Sequence, residues 1–470
     1  MNVVKKRLFY SSLAVVVALS GLTSGCGSDS VVAPVADPAP TTVAAVVTAP
    51  AVPATTATLL YTSDAHYGIK RASTPFNYTF KGYSNAQQVN SAMVTVMNTM
   101  PSKTIPGDGG VKAGSVIGSI DYVVQGGDIA NRMQNDPKNG YSNYVQSAYD
   151  SWKQFEAGFI NTLRFPVLLF PGNHDVSNAI GYVKTMSRDG GVTPVAAGGL
   201  TNLDGSVMAF IYNMFVRAGT FDTSSKTAAQ NSYTNATYQT ASNKVYYSKD
   251  IVGVHFMFIS MWPDLDAQAW MEADLAKISS TTPAIIFTHD EPTTENKHLT
   301  DKGGPTVFST TNKFENLLVN VSEYDTTALG ITADGVLATT TTVPYHTQGN
   351  MSTRAAQRTF VRFLQRHKNI VAYFHGNTNF NEFYTYTGPD NLISLPVFRV
   401  DSPMKGYYSG QDDATAAVPL AGAGYNTNLL SYHVISIDSV TKKMTVREYL
   451  WNTNSWGAKA TDVDLTPRAL

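Results

Sequence analysis

Five short β-prone runs in this 470-residue chain each stop on a side chain able to bind a metal ion, and that repetition limits what the chain can fold into. The run Arg164-Phe165-Pro166-Val167-Leu168-Leu169-Phe170 has the unbroken apolar pattern of a strand buried on both faces. Pro171-Gly172 stops it, and Asn173, His174 and Asp175 follow without a spacer. Taken alone, Gly-Asn-His-Asp suits an Asn-rich turn with a surface histidine equally well. Thr58 to Ser63 runs into Asp64-Ala65-His66, and Ser119 to Gln125 runs into Gly126-Gly127-Asp128. Pro283 to Thr288 runs into His289-Asp290, and Asn369 to Phe374 runs into His375-Gly376-Asn377-Thr378-Asn379. Ligands in open α/β sheets gather at the carboxyl ends of strands. Packing alone gives no reason for five such ends in series.

The order Asp-x-His, Gly-Gly-Asp, Gly-Asn-His-Asp and a lone histidine resembles the calcineurin-like metallophosphoesterases. The resemblance covers roughly residues 58–455, with matching residues only in the five blocks. One block departs: where the family ends in Gly-His-x-His, this chain reads Gly376-Asn377-Thr378-Asn379. The resemblance implies an α/β fold, a two-sheet αββα sandwich forming a single catalytic domain. It implies two divalent ions bridged by Asp128, with Asp64, His66 and Asn379 on the first and Asn173, His289 and Asn377 on the second. His174 would protonate the leaving oxygen, with Asp175 orienting its ring. Each residue also has a plainer reading: Asp64 and Asp128 suit turn caps, and Asn173 suits a left-handed position after glycine.

Hydrophobic residues make up 43% of the chain and charged ones 15%, enough to build a large core. The net charge of −1 gives no reason to expect nucleic acid as a bulk partner. Residues 1–26 read as an export signal, with Lys5, Lys6 and Arg7 before an apolar stretch too short and interrupted for a membrane span. It closes on Leu22-Thr23-Ser24-Gly25-Cys26, which resembles a bacterial lipobox. Membrane attachment is therefore expected through a lipid on Cys26, at the periplasm or cell surface. Cys26 is the only cysteine, so no internal disulfide is available. Residues 27–57 read as an Ala/Pro/Thr-rich tether unable to bury a core.

Within 58–455, helices are expected over Asn85–Met100, Tyr141–Leu163, Asp264–Ile278 and Met351–His367, the first capped by Asn85 and the last by Ser352. Two strands joined at Gly253 are expected over Val245–Met261. The patterns near 176–249 and 291–348 are irregular and read as insertions beside the site. Val397–Val400, Tyr432–Asp438 and Met444–Leu450 read as antiparallel strands of a second sheet, and 456–470 as a tail. No motif identifies the substrate beyond a small-molecule phosphate ester, monoester or diester, and none sets the oligomeric state. The alternative reading is a phosphate-ligand-binding lipoprotein that keeps the fold with weakened catalysis.

Imidazole is a stronger ligand than a neutral amide oxygen for zinc-like ions, so an oxygen-rich site favours manganese, magnesium or iron(II) over zinc. Manganese is therefore expected to stimulate activity after chelation, with a poor response to zinc. Asn377→His combined with Asn379→His should tighten binding and move the preference toward zinc. Activity titrations with each ion after dialysis against a chelator decide this; wild-type protein that retains zinc and gains nothing from manganese refutes it.

Overall fold

The computed structural model describes residues 54–67, 70–72, 83–130, 151, 154–176, 245–295, 298–299, 318–320, 323–324, 351–404 and 430–469. The export signal, most of the tether, most of both insertions and the start of the helix expected over 141–163 lie outside them. The described residues belong to the unit Pro53–Leu470. The strands in chain order are β1 (Thr56–Thr62), β2 (Lys70–Ala72), β3 (Tyr83–Asn85), β4 (Tyr122–Gln125), β5 (Val167–Leu169), β6 (Tyr246–Ile251), β7 (Val254–Ile259) and β8 (Ala284–Phe287). They continue with β9 (Glu323–Tyr324), β10 (Met351–Ser352), β11 (Ile370–His375), β12 (Glu382–Tyr386), β13 (Leu395–Arg399), β14 (Ser431–Asp438), β15 (Lys443–Leu450) and β16 (Ser455–Asp464). The α-helices among the described residues are α1 (Ala86–Met97), the single turn α2 (Asn173–Val176), α3 (Leu265–Leu275) and α4 (Arg354–Arg366), with a 3-10 turn at Met100–Ser102 and a π-helical turn at Glu156–Ile160.

The fold is α/β with two mixed six-stranded sheets. The first runs β16-β15-β14-β1-β4-β5, with β1, β4 and β5 parallel and the other three strands antiparallel. The second runs β12-β13-β11-β8-β7-β6, with its four middle strands parallel and β12 and β6 antiparallel at the edges. Aromatic rings join the sheets face to face. Tyr61 on β1 meets Phe287 on β8 and Phe374 on β11 edge-on at 5.2 and 5.7 Å, and those two phenylalanines stack at 4.5 Å. Such pairs add about 0.5–1.5 kcal/mol each beyond the area they bury.

β7, β8 and β11 are buried along their whole length, as strands covered on both faces must be. Phe360 of α4 covers the second sheet by packing on Tyr373 at 6.1 Å and on Trp262 at 5.6 Å. Asn90 of α1 donates to the Ala65 and Ala86 carbonyls, which ties that helix to the end of β1. Asp264 caps α3 by accepting from Ala267 N at 2.9 Å. Asn85 directly precedes α1; in α4 the N-cap residue is Thr353, without a side-chain bond, rather than Ser352, whose Oγ accepts from Arg354 N at 3.4 Å. Among the described residues no helix is long and apolar enough to cross a membrane.

The C-terminal third is arranged differently from the expectation. Only β13 joins β11, and it does so in parallel. β14 is buried over seven of its eight residues, so it belongs inside a sheet, and it pairs with β1. Residues 455–464, read mostly as tail, form the edge strand β16, whose alternating exposed and half-buried positions suit an edge with one covered face.

The dipeptide after β13 ties the two sheets together. Both carboxylate oxygens of Asp401 accept from Ser431 N, at 2.9 and 3.2 Å, at the start of β14. Ser402 Oγ donates to the Asp64 carbonyl at 2.7 Å. Burial pushes the Asp401 carboxyl up to about 7, against the bond from Ser431 N. A carboxyl raised in the fold contributes stability while protonated and loses it as pH rises from the ordinary value of about 3.9 through 7. Asp401→Asn should therefore raise the melting temperature by a few degrees at pH 8 and change it little at pH 5. An equal shift at both pH values would show that ionisation of Asp401 costs the fold nothing.

Candidate metal centre

The five strand ends supply one cluster. β1 leads to Asp64 and His66, β4 to Asp128 and β5 to Asn173 and His174, all from the first sheet. β8 leads to His289 and β11 to Asn377, from the second. Asp64, His66, Asp128, Asn377 and Asn379 all have positive φ, between 42° and 66°. This conformation is uncommon outside glycine and costs energy that the surroundings must repay. For Asp64 they do so through three contacts. Its N donates to Gly127 O at 3.0 Å, its carbonyl accepts from Ser402 Oγ, and its Oδ2 accepts from Asn377 N at 3.0 Å.

Glycine is required where these turns meet. A Cβ on Gly127 (φ 90°) would collide with the backbone of Gly172, and one on Gly172 with Asp128 Oδ1. A Cβ on Gly376 would collide with Asp64 Oδ2. The turns can therefore close around the two carboxylates only with hydrogen at these three positions.

Two groups of three donor side chains result, Asp64–Asp128–His289 and His66–Asp128–His174, each with ligand atoms within 4.8 Å of one another and both containing Asp128. His289 Nε2 lies 3.3 Å from Asp128 Oδ1 and 3.1 Å from Asn173 Oδ1. Its Nδ1 is 2.7 Å from the Gly126 carbonyl, a bond that leaves Nε2 as the ligand nitrogen. His66 Nε2 lies 3.4 Å from Asp64 Oδ1 and 3.6 Å from Asp128 Oδ2. His174 Nε2 is 3.8 Å from Asp128 Oδ2, and its ring stands edge-on to His66 at 4.7 Å. Asp64, which the resemblance puts on one ion with His66, lies 3.4 Å from His66 and also falls in the group with Asp128 and His289. At 17% side-chain exposure, His174 is the member open to solvent, while the others are at 2% or less.

The donor set fits divalent cations. Asp64 and Asp128 are 0% and 1% exposed, and buried carboxylates are costly unless paired or metal-bound. Among the described residues Asp64 Oδ1 and Asn379 Oδ1 are buried and have no hydrogen-bond donor. Burial pulls the His289 imidazole down, yet Asp128 and Asp64 more than offset it and raise it to about 10, which measures how strongly this pocket draws a positive charge.

Other expected residues are placed differently. Asp175, expected to orient His174, is buried with its carboxylate on three backbone amides: Gly172 N at 2.9 Å, Ala130 N at 2.9 Å and Ile129 N at 3.3 Å. It ties the loop after β4 to the turn after β5. Asn377 turns its amide nitrogen toward Asp290 Oδ1 at 2.5 Å, with Glu295 and Glu291 at 3.3 and 3.4 Å. Asn379 is buried but makes no hydrogen bond to another expected ligand among the described residues. Burial holds His375 well below the usual imidazole range, and its nitrogens face Tyr384 Oη at 2.9 Å and the Gly376 carbonyl at 3.0 Å.

The reading of the sequence missed Asp290, Glu291, Glu295, His298 and Ser402. The available signal was the run Asp290-Glu291, Glu295 and His298 directly after the lone histidine. Nothing in the sequence marks Ser402.

Neither a family model nor a curated protein matches this chain. Among solved structures it is similar to a dimetal phosphatase from Danio rerio, at 8% identity and a TM-score of 0.41, over 87% of this chain and 99% of that one. Phosphopantetheinyl hydrolase from Mycobacterium tuberculosis aligns at 12% identity and 0.28, over 74% and 91%. An uncharacterised protein from Streptococcus pneumoniae, described as a predicted phosphoesterase, aligns at 8% and 0.25, over 87% and 97%. Scores this low carry no weight for what this chain does, which is read from the residues above.

Asp128→Asn removes the one charge common to both donor groups. Even outer-shell partners are worth about 10–100-fold in metal affinity, so this change should weaken divalent-ion binding at least that much, with the circular dichroism spectrum retained. A variant that still binds two ions with wild-type affinity removes Asp128 from the shared position.

Proposed function

We propose that this chain is a dinuclear metal-dependent hydrolase of small-molecule phosphate esters, exported and held at the bacterial envelope by a lipid on Cys26. The observation that carries the hydrolase reading is the pair of donor groups sharing Asp128, at strand ends from both sheets. Asp64, Asp128 and His289 would hold one ion, with Asn173 beside His289. His66 and Asp128 would hold the other, and Asn379 offers an amide oxygen. Two such ions clamp a phosphoryl group, stabilise its developing charge and lower the pKa of water.

The rest of the work belongs to the chain. Asp128, common to both donor groups, would supply a carboxylate oxygen to each. His289, bonded to the Gly126 carbonyl, keeps its ring orientation through the reaction. His174 sits on the solvent side, its backbone N donating to Asp128 Oδ1 at 2.7 Å, which anchors the residue while its ring remains accessible. From there a protonated imidazole can give its proton to the departing ester oxygen. Asp175 acts indirectly, by fixing the turn on which His174 stands. Presence of a placed proton donor favours hydrolysis over mere phosphate binding, which needs none.

Metal analysis of the purified protein, beside hydrolysis of generic phosphomonoester and phosphodiester substrates, tests the reading; absence of both bound metal and hydrolysis rejects it. His174→Ala should lower turnover by about 10²–10⁴, the usual worth of general acid catalysis. Nitrophenyl esters, whose leaving group needs little protonation, should lose less than alkyl esters. A uniform loss across leaving groups would exclude the acid role.

A further inference from the structure

Asp290 follows His289 directly and is fully buried, yet it lies outside both donor groups. Its carboxylate is fixed from several sides. Oδ2 accepts from His298 Nδ1 at 2.8 Å and from Thr294 Oγ1. The Asp290 N donates to Met261 O at 2.8 Å, and its carbonyl accepts from Tyr373 Oη at 2.7 Å. Oδ1 is left to accept from Asn377 Nδ2 at 2.5 Å.

An asparagine amide has two different ends. Its nitrogen carries two hydrogens and only donates, whereas its oxygen only accepts. An ionised carboxylate only accepts, so an amide beside one must turn its nitrogen toward it. Glu295 Oε1 at 3.3 Å faces the same nitrogen. The oxygen is then the end left for a cation, which cannot be bound by an amide nitrogen without a lone pair. Asn377 N meanwhile donates to Asp64 Oδ2, which places this residue beside the Asp64–Asp128–His289 group.

We propose that Asp290 is a positioning residue that holds the Asn377 amide with its oxygen available to the cation of the Asp64–Asp128–His289 group. The inference rests on the metallohydrolase reading. It assigns Asp290 the part that a carboxylate plays behind a metal-binding histidine, here with an amide as the intermediary. His298 and Thr294 keep the carboxylate in place.

Manganese titration by calorimetry, with electron spin resonance of the free ion, tests this without reference to activity. Wild type is compared with Asn377→Ala, Asp290→Asn, Asp290→Ala and the double variant Asp290→Ala/Asn377→Ala. Asn377→Ala and Asp290→Ala should each weaken one of two ions by about 10–100-fold and leave the other unchanged. The double variant should bind no more weakly than the weaker single variant, because Asp290 acts through Asn377. Additive losses, or wild-type affinity in either Asp290 variant, would overturn the inference. If Asp290→Ala fails to fold, the isosteric Asp290→Asn decides: selective weakening of one ion supports the role, and unchanged binding of both rejects it. Wild type that binds no divalent ion overturns the metallohydrolase reading together with this inference. Wild type that binds two, beside Asp290 variants that bind them as tightly, overturns this inference alone.

Discussion

Two carboxylates, Asp64 and Asp128, are buried side by side at the inner ends of neighbouring parallel strands, and much of the structure serves to keep them there. A buried carboxylate without a compensating charge costs several kcal/mol, and two close together repel one another as well. Hydrogen bonds from Asn377 N and His174 N offset part of that cost. The imidazoles of His66 and His289 face the same two carboxylates. What remains is a pocket of negative potential enclosed by two sheets, with the open histidine at its rim. That combination has no use in a core that only needs to pack.

The backbone bears a comparable cost. Five of the residues that approach the centre hold left-handed φ values, and three glycines are required because any Cβ would strike a facing turn. Such strain survives only where surrounding contacts over-determine the conformation, and here they come from both sheets. Asp64 is held by Gly127 from the same sheet and by Ser402 and Asn377 from the other. Asp175 works in the same way on the neighbouring turn, where its carboxylate collects three backbone amides. Those three bonds brace the turn on which His174 stands.

What could be read from the sequence follows from this. Strand ends were legible because an apolar run that stops at Gly or Pro beside Asp, His or Asn carries both its structure and its chemistry locally. The sheet membership of β13, β14 and β16 was not legible, because period-two alternation gives a strand but not its neighbour. β14 enters beside β1 from more than 350 residues away. Asp290 was hidden for a similar reason: its partner Asn377 is 87 positions along the chain, and only the fold brings an amide against that carboxylate. Five positive-φ turns left a weaker trace, since Asn, Asp and His tolerate the left-handed region but do not announce it.

Because donor side chains come from both sheets, binding of a cation there would be thermodynamically linked to sheet docking. A cation held by Asp64 and Asp128 from the first sheet and His289 from the second forms a cross-link that the unfolded chain cannot reproduce, so its binding free energy adds to folding. Without the ion, burying the two first-sheet carboxylates beneath the second sheet opposes docking. Contacts that hold the sheets independently of metal, namely the Tyr61–Phe287–Phe374 cluster and the Asp401–Ser402 tie, are then what keep the apo centre assembled. Aromatic packing supplies the non-directional part of that support. Ser402 supplies the directional part, since it fixes the carbonyl of the residue whose side chain must face the ion. A chain with a single cysteine has no internal disulfide to hold such a centre preformed.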